Sequence, residues 1–210
     1  MSNFSVMIAI PCGSGFFHWQ HVHSLLNTNV ELQTRGISFE VKILPECSII
    51  EQARNVLANE FINSPHSHLF MIDSDIQWTP DQFMEILRLG VDLPIVCASY
   101  PEKNDSLTFH IQKNGTQLDE RGCIEIRGAG LGFTIVQRKV MIDLAQGSEK
   151  VMIKSEPLQR IFRCDVKDGE FQGEDMRFFS DCRKLGYKVY LKPSVTLGHI
   201  GTKNYSKSLI

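Results

Sequence analysis

The chain has 210 residues, 42% of them hydrophobic, which is enough for one globular domain with a full core. Its formal net charge is −2 and its Lys and Arg residues form no run, so neither a nucleic-acid backbone nor an anionic membrane surface is a predicted partner. No apolar stretch approaches the roughly 20 residues of a membrane span, and the N-terminal run lacks the basic leader of a signal peptide. The six cysteines are widely spaced without a CxxC pair, which is typical of reduced thiols in a cytosolic protein.

The first half of the chain alternates predicted strands and helices. Apolar runs predict strands at 4–11, 37–44, 67–72 and 93–99. Helical periodicity follows the first of these runs from Trp19 onward. Two further helices are predicted: one at 48–62, with Ser48 as N-cap and Glu51 completing a capping box, and one from Thr79 to Gly90. Such alternation predicts a parallel sheet covered by helices on both faces.

The second half has a different pattern. Short runs separated by Gly and polar turns predict strands at 107–112, 122–128 and 131–137. A strong amphipathic helix at 173–186 leads into a final strand at 187–193. We therefore predict an α/β fold in which a nucleotide-type half continues, without a linker, into a half with a mixed sheet.

Two aspartates, Asp73 and Asp75, directly follow the apolar run "HLFMI". In open α/β sheets ligands bind beyond the carboxyl ends of the strands, and side chains two residues apart on an extended segment share a face. Two carboxylates at one point repel each other unless a cation lies between them. A hard divalent ion with a substrate diphosphate meets that need, whereas a helix cap or a solvated pair is the simpler alternative.

The segment 73–75, placed after a hydrophobic strand, resembles the Asp-x-Asp motif of GT-A glycosyltransferases, which hold a nucleotide-sugar through a divalent metal. Three later segments extend the resemblance. Residues 173–191 are similar to the family's Glu-Asp helix, 197–201 to its C-terminal metal-binding His, and 128–138 to the small-residue segment beside sugar and acceptor. The resemblance implies a GT-A-like Rossmann-type mixed sheet, parallel in the N-terminal half and flanked by helices. Size and single-domain form are similar to those of a chlorella-virus glycosyltransferase domain.

The resemblance also implies roles for the matching residues. Asp73, Asp75 and His199 form the predicted metal site, in which Asp75 and His199 coordinate Mn²⁺ or Mg²⁺ while Asp73 contacts the ribose or a metal-bound water. Asp175 is the favoured catalytic base and Glu174 a supporting or acceptor-binding residue. The alternative for these two acids is simple stabilisation by the dipole of the helix that they open.

The predicted donor-binding residues come from several segments, and each has a simpler structural alternative. The turn after the first strand is Gly-rich but is not the dinucleotide fingerprint, and such turns are often only turns. Arg54 and Asn55 could lie on the solvent-exposed side of their helix, and Lys103 could be an ordinary surface residue. These residues are Pro11, Cys12, Gly13, Ser14, Gly15, Arg54, Asn55, Asp73, Ser74, Lys103 and Gly130.

The predicted function is metal-dependent transfer of a sugar from a UDP-sugar to a glycan or glycoprotein acceptor by a single domain of residues 1–210. Residues 1–98 would form the nucleotide-binding half and 99–210 the acceptor half. Inversion at the anomeric carbon is favoured, although retaining enzymes share the same metal site. A nucleotidyltransferase is one alternative, but it would normally carry a cation in the loop 11–20, which has none. A degenerate module that only binds sugar or protein is the other. The predicted location is cytoplasmic, in the host cell if the protein is viral.

Overall fold

The computed structural model describes residues 4–153, 155–201 and 204–208. The helices within these residues are α1 (Trp19–Thr34), α2 (Ile50–Asn63), α3 (Pro80–Asp92), α4 (Arg138–Gln146) and α5 (Glu174–Lys184). The strands of the first half are β1 (Ser5–Cys12), β2 (Ser38–Pro45), β3 (His68–Ile72), β4 (Ile76–Gln77) and β5 (Ile95–Ser99). Those of the second half are β6 (Ile111–Leu118), β7 (Ile124–Ala129), β8 (Phe133–Gln137), β9 (Lys150–Ile153), β10 (Glu156–Gln159), β11 (Asp165–Lys167), β12 (Glu170–Gln172), β13 (Val189–Thr196), β14 (Gly198–Ile200) and β15 (Asn204–Ser206).

Eight strands form the main sheet in the order β2-β1-β3-β8-β5-β13-β7-β6. Strands β2, β1 and β3 are parallel, and β5 and β13 run in the same direction. Strand β8 is inserted antiparallel between β3 and β5. The sheet is therefore parallel in the N-terminal half and mixed overall, which confirms the predicted fold class.

The core lies on both faces of this sheet. Successive residues of β1 alternate between two buried clusters: Met7 packs with residues of α2, α4 and α5, whereas Ile8 packs with residues of α1 and α3. Because neighbouring side chains of a strand point to opposite faces, a strand buried on both sides needs apolar residues at consecutive positions. That requirement explains the unbroken apolar runs of β1, β3 and β5.

The predicted start of α3 is confirmed and its predicted end is wrong. The side chain of Thr79 and that of Gln82 form a reciprocal capping box at the N-terminus, with Pro80 at the first helical position. The helix passes through Gly90 and ends only at Asp92. A Cβ at Gly90 would lie 2.7 Å from Cδ1 of Ile135, so this glycine permits close packing of α3 on β8.

The capping box predicted for α2 is also wrong. The helix begins at Ile50, with Ile49 as an N-cap that makes no side-chain hydrogen bond. The carboxylate of Glu51 instead accepts hydrogen bonds from Arg160 and from the backbone N–H of Cys164. Hydrogen bonds to residues distant in sequence therefore take the place of the predicted capping interaction of Glu51.

A small second sheet, β15-β14-β4, lies beside the main one. Strand β14 follows β13 in the chain and pairs antiparallel with β4, which follows the two aspartates. None of the described helices is long and apolar enough to cross a membrane. All six cysteines lie among the described residues and are free thiols.

Candidate active site

The carboxyl edge of the parallel strands brings together the acidic residues singled out by the sequence. Strand β3 ends at Ile72, so Asp73 and Asp75 stand just beyond it. Strand β1 ends at the same edge, since Ala9 pairs with Met71 in parallel register. This is the edge at which open α/β sheets bind ligands.

The pairing of β14 with β4 brings His199 to Asp75. The backbone N–H of Ile200 donates to the carbonyl oxygen of Asp75 at 2.7 Å, and Nε2 of His199 lies 3.4 Å from Oδ2 of Asp75. On the other side of the ring, Nδ1 lies 2.8 Å from the carbonyl oxygen of Pro101. A carbonyl only accepts, so Nδ1 donates the proton, and a neutral imidazole then carries its lone pair on Nε2.

This arrangement fits a divalent metal ion. A ligating histidine characteristically donates its second nitrogen to a carbonyl or carboxylate, as His199 does to Pro101. Burial would raise the pKa of Asp75, but the ammonium group of Lys103 and the neighbouring ring of His199 lower it to about 2, so the carboxylate is ionised at neutral pH. Among residues 4–153, 155–201 and 204–208, no group of three or more His, Cys, Asp or Glu side chains could hold a metal. Two protein ligands would leave coordination positions for phosphate oxygens.

Lys103 also reaches Asp75. Its Nζ lies 2.5 Å from Oδ2 of Asp75, the same oxygen that faces His199. Lys103 belongs to the segment between β5 and β6, whereas Asp75 follows β3 and His199 lies on β14. Three separate parts of the chain therefore converge on one carboxylate oxygen.

Asp73 has a different partner, Arg54 of α2. Nη2 of Arg54 lies 3.0 Å from Oδ1 of Asp73, and its Nε lies 3.2 Å from Oε1 of Glu174. The side chain of Arg54 is only 4% exposed, so its ion pairs are shielded from water. Its remaining nitrogen, Nη1, is buried without a partner in the described part of the chain. The guanidinium thus joins the end of β3 to the start of α5.

Glu174 and Asp175 occupy the first turn of α5, after Gly173 as N-cap. Glu174 is held by Arg54, while Oδ1 of Asp175 accepts a hydrogen bond from the N–H of Met176 at 2.6 Å. Burial raises the pKa of Asp175, with the charge of Glu174 adding to the effect against the backbone hydrogen bond. A carboxylate with a raised pKa is better suited to accept a proton than an ordinary aspartate.

Tyr100 is a site residue that the sequence analysis missed. It follows β5 directly, as Asp73 follows β3, so the same strand-end rule could have found it. Its hydroxyl accepts a hydrogen bond from the N–H of Gly132 at 3.0 Å, and its ring meets that of His199 edge-on at 4.9 Å. Burial and the nearby charge of Asp73 raise its pKa well above the ordinary value, so Tyr100 remains a neutral hydroxyl.

The small residues before β8 allow this close packing. A Cβ at Gly130 would lie 2.5 Å from the hydroxyl of Tyr100. At Gly132 it would lie 2.5 Å from Oδ2 of Asp73 and 2.6 Å from the same hydroxyl. All three distances are shorter than any normal contact, so a larger residue at either position would force Tyr100 or Asp73 to move.

Replacing Gly132 by Ala should therefore destabilise the protein. Asp73 is fixed by Arg54 and cannot move aside freely, so we expect a loss of about 1–3 kcal/mol in the free energy of unfolding, the usual cost of overpacking. Urea denaturation would measure it. Gly147→Ala is the matched control, because a Cβ there has no neighbour closer than 3.8 Å. An equal loss in both variants would contradict the proposed contact.

The other predicted donor residues are placed as follows. Pro11 and Cys12 end β1 and are buried. The turn that follows, at the same carboxyl edge as Asp73, begins at the half-buried Gly13 and continues through the exposed Ser14 and Gly15. Ser74 lies in the turn between the two aspartates. Asn55 is not brought to the acidic cluster, because its amide pairs with the backbone N–H and carbonyl of Phe162 in the core.

Comparison with solved structures places the fold. The chain matches A197 from STIV with 18% identity and a TM-score of 0.58, covering 94% of this chain and 86% of that one. It matches GalNAc-T7 with UDP, GalNAc and Mn²⁺ at 10% identity and a TM-score of 0.55, covering 95% of this chain but 44% of that one. A mutant of Drosophila β1,4-galactosyltransferase 7 with manganese, UDP-Gal and xylobiose matches at 13% identity and a TM-score of 0.51, covering 98% and 71%.

The fold is GT-A-like. At identities of 10–18%, this likeness shows the fold alone. No protein-family model matches the chain. No curated protein matches it either.

Proposed function

We propose that the chain is a metal-dependent glycosyltransferase that moves a sugar from a UDP-sugar to a hydroxyl of a glycan or glycoprotein acceptor. The observation that carries the proposal is the pair formed by Asp75 and His199, whose Nε2 is left free by the hydrogen bond to Pro101. The pair stands at the ligand-binding edge of a GT-A-like sheet. Two proteins with this fold are known in complex with UDP or UDP-Gal and manganese.

On the donor side, Asp75 and His199 would hold Mn²⁺, or Mg²⁺ in its place, although an imidazole ligand favours Mn²⁺. The ion would stabilise the negative charge of the departing diphosphate. Asp73, oriented by its ion pair with Arg54, would contact the ribose or a water bound to the ion. Arg54 supports the donor site through its ion pairs with Asp73 and Glu174, which fix both carboxylates at this edge of the sheet.

On the acceptor side, Asp175 takes the proton from the attacking hydroxyl. Its raised pKa and its position in the first turn of α5 support this role. Attack by that hydroxyl on the anomeric carbon, opposite the diphosphate, inverts the configuration. Glu174 binds the acceptor or supports Asp175, and its ion pair with Arg54 fixes the distance between the acceptor side and Asp73.

Two wider inferences rest on the sequence. We infer that residues 1–210 act as one catalytic unit, with a donor half at about 1–98 and an acceptor half at about 99–210. A viral origin, and with it a location in the host cytoplasm, stays a prediction.

Nucleotide competition tests the donor. A site that hydrogen-bonds the uracil edge leaves buried groups unpaired with a purine, at roughly 1–3 kcal/mol each. We therefore expect UDP to bind at least about tenfold more tightly than ADP or GDP in the presence of Mn²⁺. Calorimetric competition with the free nucleotides measures this. A preference for GDP would change the donor class, and no preference at all would favour a module that only binds sugar or protein.

A further inference from the structure

Lys103 occupies the position next to Asp75 that a metal ion would need. Its Nζ lies 2.5 Å from Oδ2 of Asp75, and Nε2 of His199 lies 3.4 Å from the same atom. A divalent ion coordinated by that oxygen would sit about 2 Å from it and therefore directly beside the ammonium group. Like charges so close together repel, so Lys103 competes with a metal ion for Oδ2 of Asp75.

The segment that carries Lys103 does not depend on this ion pair for its shape. The carboxylate of Glu102 accepts hydrogen bonds from the side chains of Asn104 and Thr108, both at 2.8 Å. The backbone N–H of Glu102 also donates to the carbonyl of Thr108, and Pro101 bridges to Phe109. The lysine side chain can therefore leave Asp75 by rotation while the segment keeps its conformation.

We propose that Lys103 is an internal counter-ion that neutralises Asp75 until metal and nucleotide bind together. The inference rests on the proposed function and names a regulation of that same site. An ammonium group released from Asp75 needs a new anion, and the diphosphate of the donor supplies one. Metal alone must displace Lys103 without that compensation, whereas metal with a nucleoside diphosphate gives the lysine a new partner. Lys103 thereby couples the two ligands, and such coupling is reciprocal.

The variant Lys103→Gln tests this coupling. Glutamine keeps a polar side chain but removes the competing charge, so Mn²⁺ without nucleotide should bind at least about fivefold more tightly, the lower end of ordinary coupling between sites. The factor by which UDP strengthens Mn²⁺ binding should shrink at the same time. Titration of the full chain with Mn²⁺, followed by electron paramagnetic resonance with and without UDP, measures both quantities.

Lys188→Gln is the matched control. Lys188 forms an ion pair with Glu125 at 2.9 Å, so its replacement removes the same charge and the same type of contact elsewhere. An equal gain in both variants, or an unchanged or weaker Mn²⁺ affinity in Lys103→Gln, would overturn the role of Lys103. Suppose that the wild-type chain binds Mn²⁺ in the presence of UDP, but that Lys103→Gln does not increase the Mn²⁺ affinity in the absence of UDP. The counter-ion role then fails while the proposed function stands. If the wild type binds no Mn²⁺ in either condition, the proposed function fails with it.

Discussion

Replacing Asp175 by Asn should reduce sugar transfer by about 10²-fold or more, while the affinity for the UDP-sugar donor stays nearly unchanged. The loss is the usual contribution of a general base. The variant is structurally mild, because the amide oxygen can still accept the hydrogen bond that the N–H of Met176 donates to Oδ1. Steady-state kinetics with calorimetric donor binding separates the two quantities, so the loss should fall on kcat and not on donor affinity.

The pH profile gives the same residue a second signature. The base works only when it is deprotonated, so the rate falls as the pH drops through the pKa of Asp175. Burial raises that pKa, which places the acidic limb above the pH expected for an ordinary aspartate. The limb should disappear in the residual activity of Asp175→Asn. Comparable loss in Glu174→Gln, combined with a fully active Asp175→Asn, would show that the base is the other carboxylate.

Replacing Asp75 by Ala should remove metal-dependent UDP binding, with a loss of more than about 100-fold in affinity. Changes to residues that only support a metal ligand already cost about 10–100-fold, and this one removes a ligand. The fold should survive, because the carboxylate stands beyond the end of β3 and its side-chain partners are Lys103 and His199. Calorimetric titration of UDP with and without Mn²⁺ measures the loss.

His199→Ala serves as the graded comparison for Asp75→Ala. It should weaken the metal less, since the Asp75 carboxylate and the diphosphate oxygens remain as ligands. An unchanged metal-dependent affinity in Asp75→Ala would show that the ion, if present, binds elsewhere. Unfolding curves of both variants, compared with that of the wild type, check that the fold is intact.

Local patterns of the sequence predicted much of the fold. Strands β1, β3 and β5 were predictable because a strand buried on both faces must be apolar at every position. The insertion of β8 between β3 and β5 was not, because strand order depends on contacts between distant parts of the chain. The prediction of a capping box for α2 was wrong for the same reason. Glu51 accepts hydrogen bonds from Arg160 and Cys164, which are distant in sequence, so a local pattern could not predict them.

In the candidate site too, some residues were predictable from local sequence and some contacts were not. The strand-end rule singled out Asp73 and Asp75 and would have found Tyr100 had it been applied to β5. The ion pairs of Arg54 with Asp73 and Glu174 could not be derived from spacing, because three distant segments meet there. A helical Arg is ordinarily expected to be exposed. Arg54 can be buried because its charge is paired with the carboxylates of Asp73 and Glu174.

Acceptor-free hydrolysis of UDP-sugars tests the central claim most directly. A donor site that activates the anomeric carbon transfers the sugar slowly to water, so the wild-type chain with Mn²⁺ should release UDP from at least one of UDP-Glc, UDP-Gal, UDP-GlcNAc and UDP-GalNAc. Release should stop on chelation of the metal and should be absent in Asp75→Ala. No UDP release above the Asp75→Ala background with any of the four donors, or release that chelation leaves unchanged, would contradict the account.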